Sequence, residues 1–162
     1  MINVAKKGYP DDIAYHHITS GNLDFLAADS LDFVVLNFVL CTISTRSEIL
    51  EIMKSIYRVL KKNGSIMIMN SNWDKSNGKE FITFKLQYCE NLSSGKPVTV
   101  VIKSEPPTDF KDYYWSKEEY CGLLTKSGFK NSGINELLAT GDEFPWIEEK
   151  SFPPYYIIYS KK

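Results

Sequence analysis

Leu31-Asp32-Phe33-Val34-Val35-Leu36, the stretch 45–60, and Ser65-Ile66-Met67-Ile68-Met69 together decide the fold. The first and last are short continuous apolar runs, the pattern of strands buried on both faces. Between them, Thr45 and Glu48 have the spacing of a capping box, in which the threonine hydroxyl accepts from the backbone N–H three residues on. Ile49, Ile52, Met53, Ile56 and Leu60 then recur at helical spacing and line one face of a helix. Lys61 and Lys62 suit the negative end of that helix, and Gly64, after Asn63, suits a left-handed stop. Strand, helix, strand in this order predicts a right-handed parallel crossover, the unit of doubly wound α/β sheets.

On the N-terminal side, residues 2–7 read as the end of an amphipathic helix, broken by Gly8 and Pro10. Residues 13–18 suit a short strand, and Thr19-Ser20-Gly21-Asn22 supply a loop. On the C-terminal side, residues 73–110 are less regular. Turns at Lys75-Ser76-Asn77-Gly78-Lys79 and Ser93-Ser94-Gly95-Lys96-Pro97 flank a short helix, followed by a strand Val98-Thr99-Val100-Val101-Ile102. Ser116 and Glu119 form a second capping box, with Tyr120, Leu123 and Leu124 on one helical face, Gly128 past the end and Phe129 closing the core. Residues 134–138 and 155–159 are the last two strands. The expected fold is therefore α/β, a single domain over residues 1–162, with the final strand added antiparallel.

The bulk properties agree with one core. The chain has 162 residues, of which 43% are hydrophobic and 24% charged, within the size range of a single domain. A net charge of -1 provides no basic excess for a phosphate backbone, so no nucleic-acid partner is expected. Cys41, Cys89 and Cys121 show no metal-type spacing, and with no secretory signal at the start they point to a reducing, cytoplasmic setting. The longest apolar stretch, residues 33–43, is interrupted by Asn37 and too short to span a bilayer, so no membrane association is expected.

Asp32-Phe33-Val34-Val35, followed by Tyr57-Arg58-Val59-Leu60-Lys61-Lys62-Asn63-Gly64-Ser65-Ile66-Met67-Ile68, resembles the class I S-adenosylmethionine-dependent methyltransferases. In that family an acidic-aromatic strand start precedes an arginine-valine-leucine-lysine helix end, a glycine turn and the fifth strand. Lys62 and Asn63 stand here where proline and glycine are common. The helix ending at Ser127-Gly128-Phe129 resembles the family's penultimate helix, and Pro153-Pro154-Tyr155-Tyr156-Ile157-Ile158 its final strand. The resemblance covers the family's C-terminal two-thirds and implies an incomplete Rossmann-like methyltransferase sheet. Its first two strands, the glycine-rich turn and the ribose-holding acid have no counterpart in this sequence. The resemblance implies methyl transfer from S-adenosylmethionine to a small-molecule acceptor. The incomplete sheet implies a homo-oligomer or a complementing chain. It also leaves open a non-catalytic remnant or subunit that acts by binding a partner, or a truncated reading frame of a normal enzyme.

The same resemblance assigns the cofactor loop to Ser20, Gly21, Asn22 and Leu23, and the segment beside the methyl donor to Asn37, Phe38, Val39 and Leu40, at the carboxyl end of a strand where open sheets bind ligands. Cys41 follows directly and belongs to the expected substrate pocket, although a small buried hydrophobe is its plainer role. Trp73, Tyr88, Tyr113, Tyr114, Trp115 and Trp146 are the aromatic candidates for that pocket, on segments after strands. Adjacent His16 and His17 face opposite sides of an extended chain and cannot readily share a metal. No residue stands out as a catalytic base.

Overall fold

The computed structural model describes residues 13–18 and 21–162. The helix end expected over residues 2–7, and Thr19 and Ser20 of the expected loop, lie outside the described residues.

Two sheets organise the chain. The larger has the order β1-β2-β7-β6, formed by β1 (Leu31–Asn37), β2 (Leu60–Ser71), β7 (Tyr155–Lys161) and β6 (Lys130–Leu137). β1 and β2 are parallel, with Phe33 opposite Ser65 and Val35 opposite Met67, while β7 runs antiparallel to both β2 and β6. The crossover between β1 and β2 is α1 (Arg46–Val59), capped by the Thr45 hydroxyl, which accepts from Glu48 N–H. Ile49, Ile52, Met53 and Ile56 are all buried on the sheet side of this helix. Each contributes about 1.5 to 3 kcal/mol of apolar burial.

Helix α1 ends earlier than its periodicity suggests. Val59 is its last residue, and Leu60 already begins β2 and pairs with Leu31. The left-handed residue of this segment is Asn63, at φ 68°, rather than Gly64. Glycine is needed at 64 for another reason, since a Cβ there would lie 2.9 Å from the Lys61 carbonyl oxygen and 3.1 Å from that of Asp32. The close approach of β1 and β2 excludes a side chain.

The second capping box also forms: the Ser116 hydroxyl accepts from Glu119 N–H at 3.1 Å and starts α3 (Lys117–Lys126). Gly128, at φ 102°, closes the helix while Phe129 N–H donates to the Leu124 carbonyl. Helices α1 and α3 cover one face of the large sheet, burying Ile66, Ile68, Tyr156 and Ile158 between them.

The opposite face is open. Phe33 is 52% exposed, Val35 47% and Tyr159 48%, and cross-strand register puts Met67 among them. The expectation that β1 is buried on both faces is thus corrected: among the described residues, helices cover only one side. Among the described residues β1 also pairs with β2 alone, leaving its other edge free. Residues 13–18, expected as a strand, form no regular structure.

The second sheet occupies the stretch expected to be irregular. After α2 (Trp73–Ser76), β3 (Phe84–Leu86), β4 (Lys96–Ile102) and β5 (Thr108–Tyr114) form an antiparallel sheet in the order β3-β4-β5. The short helix expected between the two turns is replaced by β3, whose Phe84 and Leu86 point inward and alternate with exposed Lys85, a period of two rather than 3.6. Trp73, Phe81, Phe84, Leu86, Val98, Val100 and Tyr114 make a second core beneath this sheet.

Candidate functional site

The two sheets meet at the carboxyl ends of β1 and β2. There Phe38 follows β1 at φ 53°, a left-handed conformation costly for an aromatic residue and held by its N–H, which donates to the Met69 carbonyl at 3.0 Å. The turn aims the Phe38 ring at Tyr155, with centroids 5.4 Å apart, and Tyr155 stacks on Phe84 of the small sheet at 5.3 Å. This aromatic row ties the large sheet to the small one.

A cavity of about 590 Å³ opens along that row. Phe38, Phe84, Phe110, Val100, Ile102 and Tyr155 provide apolar walls, and Thr42, Ser71 and Thr83 add hydroxyls. Asp112 of β5 contributes a carboxylate. Burial holds that carboxyl above the usual carboxylate range, against the hydrogen bond it receives from the Cys41 thiol. Burial, followed by the nearby Asp112 charge, pushes the Cys41 thiol far up, so it stays protonated. Burial also raises the Tyr155 phenol. The arrangement suits a small, largely apolar molecule with one polar group to be oriented.

Phe38 lines this cavity, whereas Leu40 is fully buried in the core of the large sheet and does not line it. Asn37 is exposed at the end of β1, and Val39 is 40% exposed. Cys41 lies just behind the cavity wall, bonded to Asp112. Gly21 packs over Ile52 in the middle of α1. The Leu23 carbonyl accepts from Arg58 in the last turn of α1 at 2.8 Å, so this loop descends the outside of the helix. The Asn22 and Asp24 side chains bond to one another at 2.6 Å.

The aromatic candidates separate. Trp73 and Tyr114 belong to the second core, and Tyr114 donates to Asp74. Tyr113 and Tyr114 are on β5, not on an irregular segment. Trp115 is buried, with its indole N–H donating to the Ile43 carbonyl at 2.9 Å. Tyr88 is 70% exposed. Trp146 lines an adjoining cavity of about 350 Å³ with Phe144, and the two cavities share Thr83, Phe84 and Tyr155. Its indole N–H has no partner among the described residues.

Sequence reasoning missed Asp112, Phe110, Val100 and Thr83, all on or beside a sheet it did not foresee. β5 offers no period-two signal, since Asp112 and Tyr113 are half-buried alike and the four residues before them are exposed. It also missed a polar cluster beside the site. The Lys117 ammonium, on a residue only 7% exposed, bonds to Asn72 at 3.0 Å, Asp74 at 2.6 Å and Glu136 at 2.9 Å.

A methyltransferase domain family model matches residues 1–68. A structure from Listeria monocytogenes, provisionally assigned as an S-adenosylmethionine-dependent methyltransferase, superposes with a TM-score of 0.70 at 19% identity, over 100% of this chain and 75% of that one. An S-adenosylmethionine-dependent methyltransferase from Mesorhizobium loti superposes with a TM-score of 0.69 at 14% identity, over 100% and 76%. One from Methanosarcina mazei gives 0.56 at 18% identity, over 99% and 76%. No curated protein sequence matches the chain.

The described residues fit S-adenosylmethionine in part. Exposed Asn37, whose side-chain amide has no partner among the described residues, and the free edge of β1 offer the donors and acceptors that an amino-acid moiety takes. Asn22 and Asp24 are the polar groups of the loop expected beside adenine, and they bond to each other.

Proposed function

We propose, on the premise that this chain carries the Rossmann-like fold of the class I S-adenosylmethionine-dependent methyltransferases, that it transfers a methyl group to a small-molecule acceptor held in the cavity between its two sheets. The observation that carries this reading is the cavity's position at the carboxyl ends of β1 and β2, where open α/β sheets present ligands. S-adenosylmethionine, when bound, supplies the methyl group. Asn37, Phe38 and Val39, with the backbone of Leu40, would hold its amino-acid end, and Gly21, Asn22 and Leu23 would meet its adenine; Ser20, assigned with them from sequence, lies outside the described residues. The protein's own contribution is positioning: the Phe38–Tyr155–Phe84 row fixes an acceptor against the end of β1 and excludes water from it. Of the residues assigned to the acceptor from sequence, Trp146 lines the smaller cavity, Cys41 bonds to Asp112 of the larger one, and Trp73 and Tyr114 pack with Phe84 and Val100 in the second core.

The working form is an assembly. Among the described residues, the free edge of β1 and the open face bearing Phe33, Val35 and Tyr159 favour cover by a second copy or a complementing chain. The same observation favours a second reading, a methyltransferase-like subunit that binds a partner without catalysis. Three free cysteines fit a cytoplasmic setting.

The test is hydrogen exchange and calorimetry on the full chain with S-adenosylmethionine. Protection confined to residues 21–23 and 37–40 at millimolar cofactor, with weak affinity, is the expected result. Unchanged exchange there, with no S-adenosylhomocysteine formed in the presence of any acceptor, would replace the enzyme reading with the subunit one.

A further inference from the structure

The cavity sets an apparent problem of charge. Asp112 is the one acid lining it, and no lysine, arginine or histidine lines it among the described residues. Neighbouring Lys111 points to the other side of β5, as alternation along a strand requires, and its ammonium lies 2.8 Å from the Thr99 hydroxyl. Among the described residues, the one side chain bonded to Asp112 is the Cys41 thiol, a weak donor that brings no charge. A half-buried carboxylate with such a partner is under-compensated, and groups of this kind gain most from a cation that arrives with the ligand. The surrounding walls suit the rest of such a ligand: Phe38, Phe84, Phe110 and Tyr155 present aromatic rings to the same space and can take an apolar, ring-sized body.

We infer that this cavity selects an amine: a small molecule whose ammonium group pairs with the Asp112 carboxylate while its apolar, ring-sized body fills the space among Phe38, Phe84, Phe110 and Tyr155. This rests on the reading that the cavity takes the methyl acceptor, and it narrows the acceptor class to amines. Asp112 orients the nitrogen and provides an oxygen able to receive its proton. Thr42, Ser71 and Thr83 offer hydrogen bonds to any further polar group the molecule carries.

The probes are benzylamine and benzyl alcohol, which share a ring and differ in charge, titrated by calorimetry into the full chain at neutral pH. The amine is expected to bind about tenfold more tightly or better, the scale of a hydrogen bond to a charged group. Asp112→Asn brings the amine down to the level of the alcohol, whereas Phe110→Ala weakens both probes alike and keeps their ratio. On the unaltered chain, the amine slows exchange at residues 40–42 and 108–114 more than the alcohol does, a readout that does not require the Asn variant to fold. Equal affinity for the two probes, a preference that survives Asp112→Asn, or failure of both to bind at millimolar concentration overturns the inference. Methyl transfer to an alcohol or thiol without an amine preference would sink this proposal and leave the methyltransferase reading standing. An amine preference without any methyl transfer would do the reverse.

Discussion

The Lys117 ammonium lies 2.6 Å from Asp74 Oδ2, a pair that fastens the first residue of α3 to the short helix α2 behind the carboxyl end of β2. Its second ion pair, to Glu136 at 2.9 Å, reaches β6, so one buried cation joins three elements. Burial acts to lower the lysine's pKa, but hydrogen bonds to Asp74 and Glu136 and their charges outweigh it and raise it.

Lys117→Met should therefore destabilise the chain, because it leaves two carboxylates facing each other without their shared cation. Removing one partner of a fully enclosed pair costs about 3 to 5 kcal/mol. Here the Asp74 and Glu136 side chains keep 31% and 32% of their exposure and can recover water, so about 2 kcal/mol is expected. Urea denaturation at neutral pH measures it, and a loss below a few tenths would show that the cluster is merely solvated.

Acid stability should trace to Glu149. Burial alone would raise its carboxyl, but N–H groups of Ile82 at 2.5 Å, Ile147 at 2.8 Å and Glu148 at 3.1 Å donate to it and hold it below the usual range. A carboxyl with a depressed folded pKa contributes stability above its unfolded value, near 4.3, and loses it as pH falls through the folded value. Glu149→Gln is expected to cost about 1.5 to 3 kcal/mol at neutral pH. That difference should shrink as denaturation is repeated from pH 7 to about 3. A deficit that stays constant with pH would assign the effect to packing.

Much of the architecture was legible because local signals and burial agree. Thr45 and Ser116 cap their helices as their spacing announces, and the apolar positions of α1 are the ones that meet the sheet. The small sheet was hidden for a physical reason. β3 has three residues, and β5 carries Asp109, Lys111 and Asp112 on a largely exposed strand, so neither has the apolar density that marks a strand. Asp112 itself looks like a solvent-facing acid until Cys41, 71 positions earlier, is brought against it. The neighbours that give it meaning are distant in sequence. The end of β1 at Asn37, by contrast, could be read from the end of an apolar run.

The exposed apolar face predicts association. Replacing Phe33 and Val35 together with serine and threonine removes apolar surface that faces no described element, so it should shift light-scattering mass toward the monomer. Folding should be altered by less than about 1 kcal/mol, as for surface substitutions generally. An unchanged mass at equal concentration would place the contact elsewhere.

Gly128→Ala tests the turn after α3. The residue sits at φ 102°, and an added Cβ would come within 2.8 Å of the Tyr57 ring. Strain and displacement of that ring together should cost about 1 to 3 kcal/mol. The thermal midpoint reports it, and a gain in stability would mean that this turn can relax to a negative φ.

Tyr114 donates to Asp74, which brings the exit of the small sheet back to its entrance. Thr83, Phe84, Val100, Ile102, Phe110 and Asp112 all lie on the excursion between those two residues. One uninterrupted segment therefore carries the chemistry of one wall of the cavity, while the strand ends supply the other. An excursion whose ends are clasped together can be exchanged without rerouting the chain on either side. Ligand preference in this fold is thus separable from the main sheet, and evolution or an engineer can rewrite it as a single cassette.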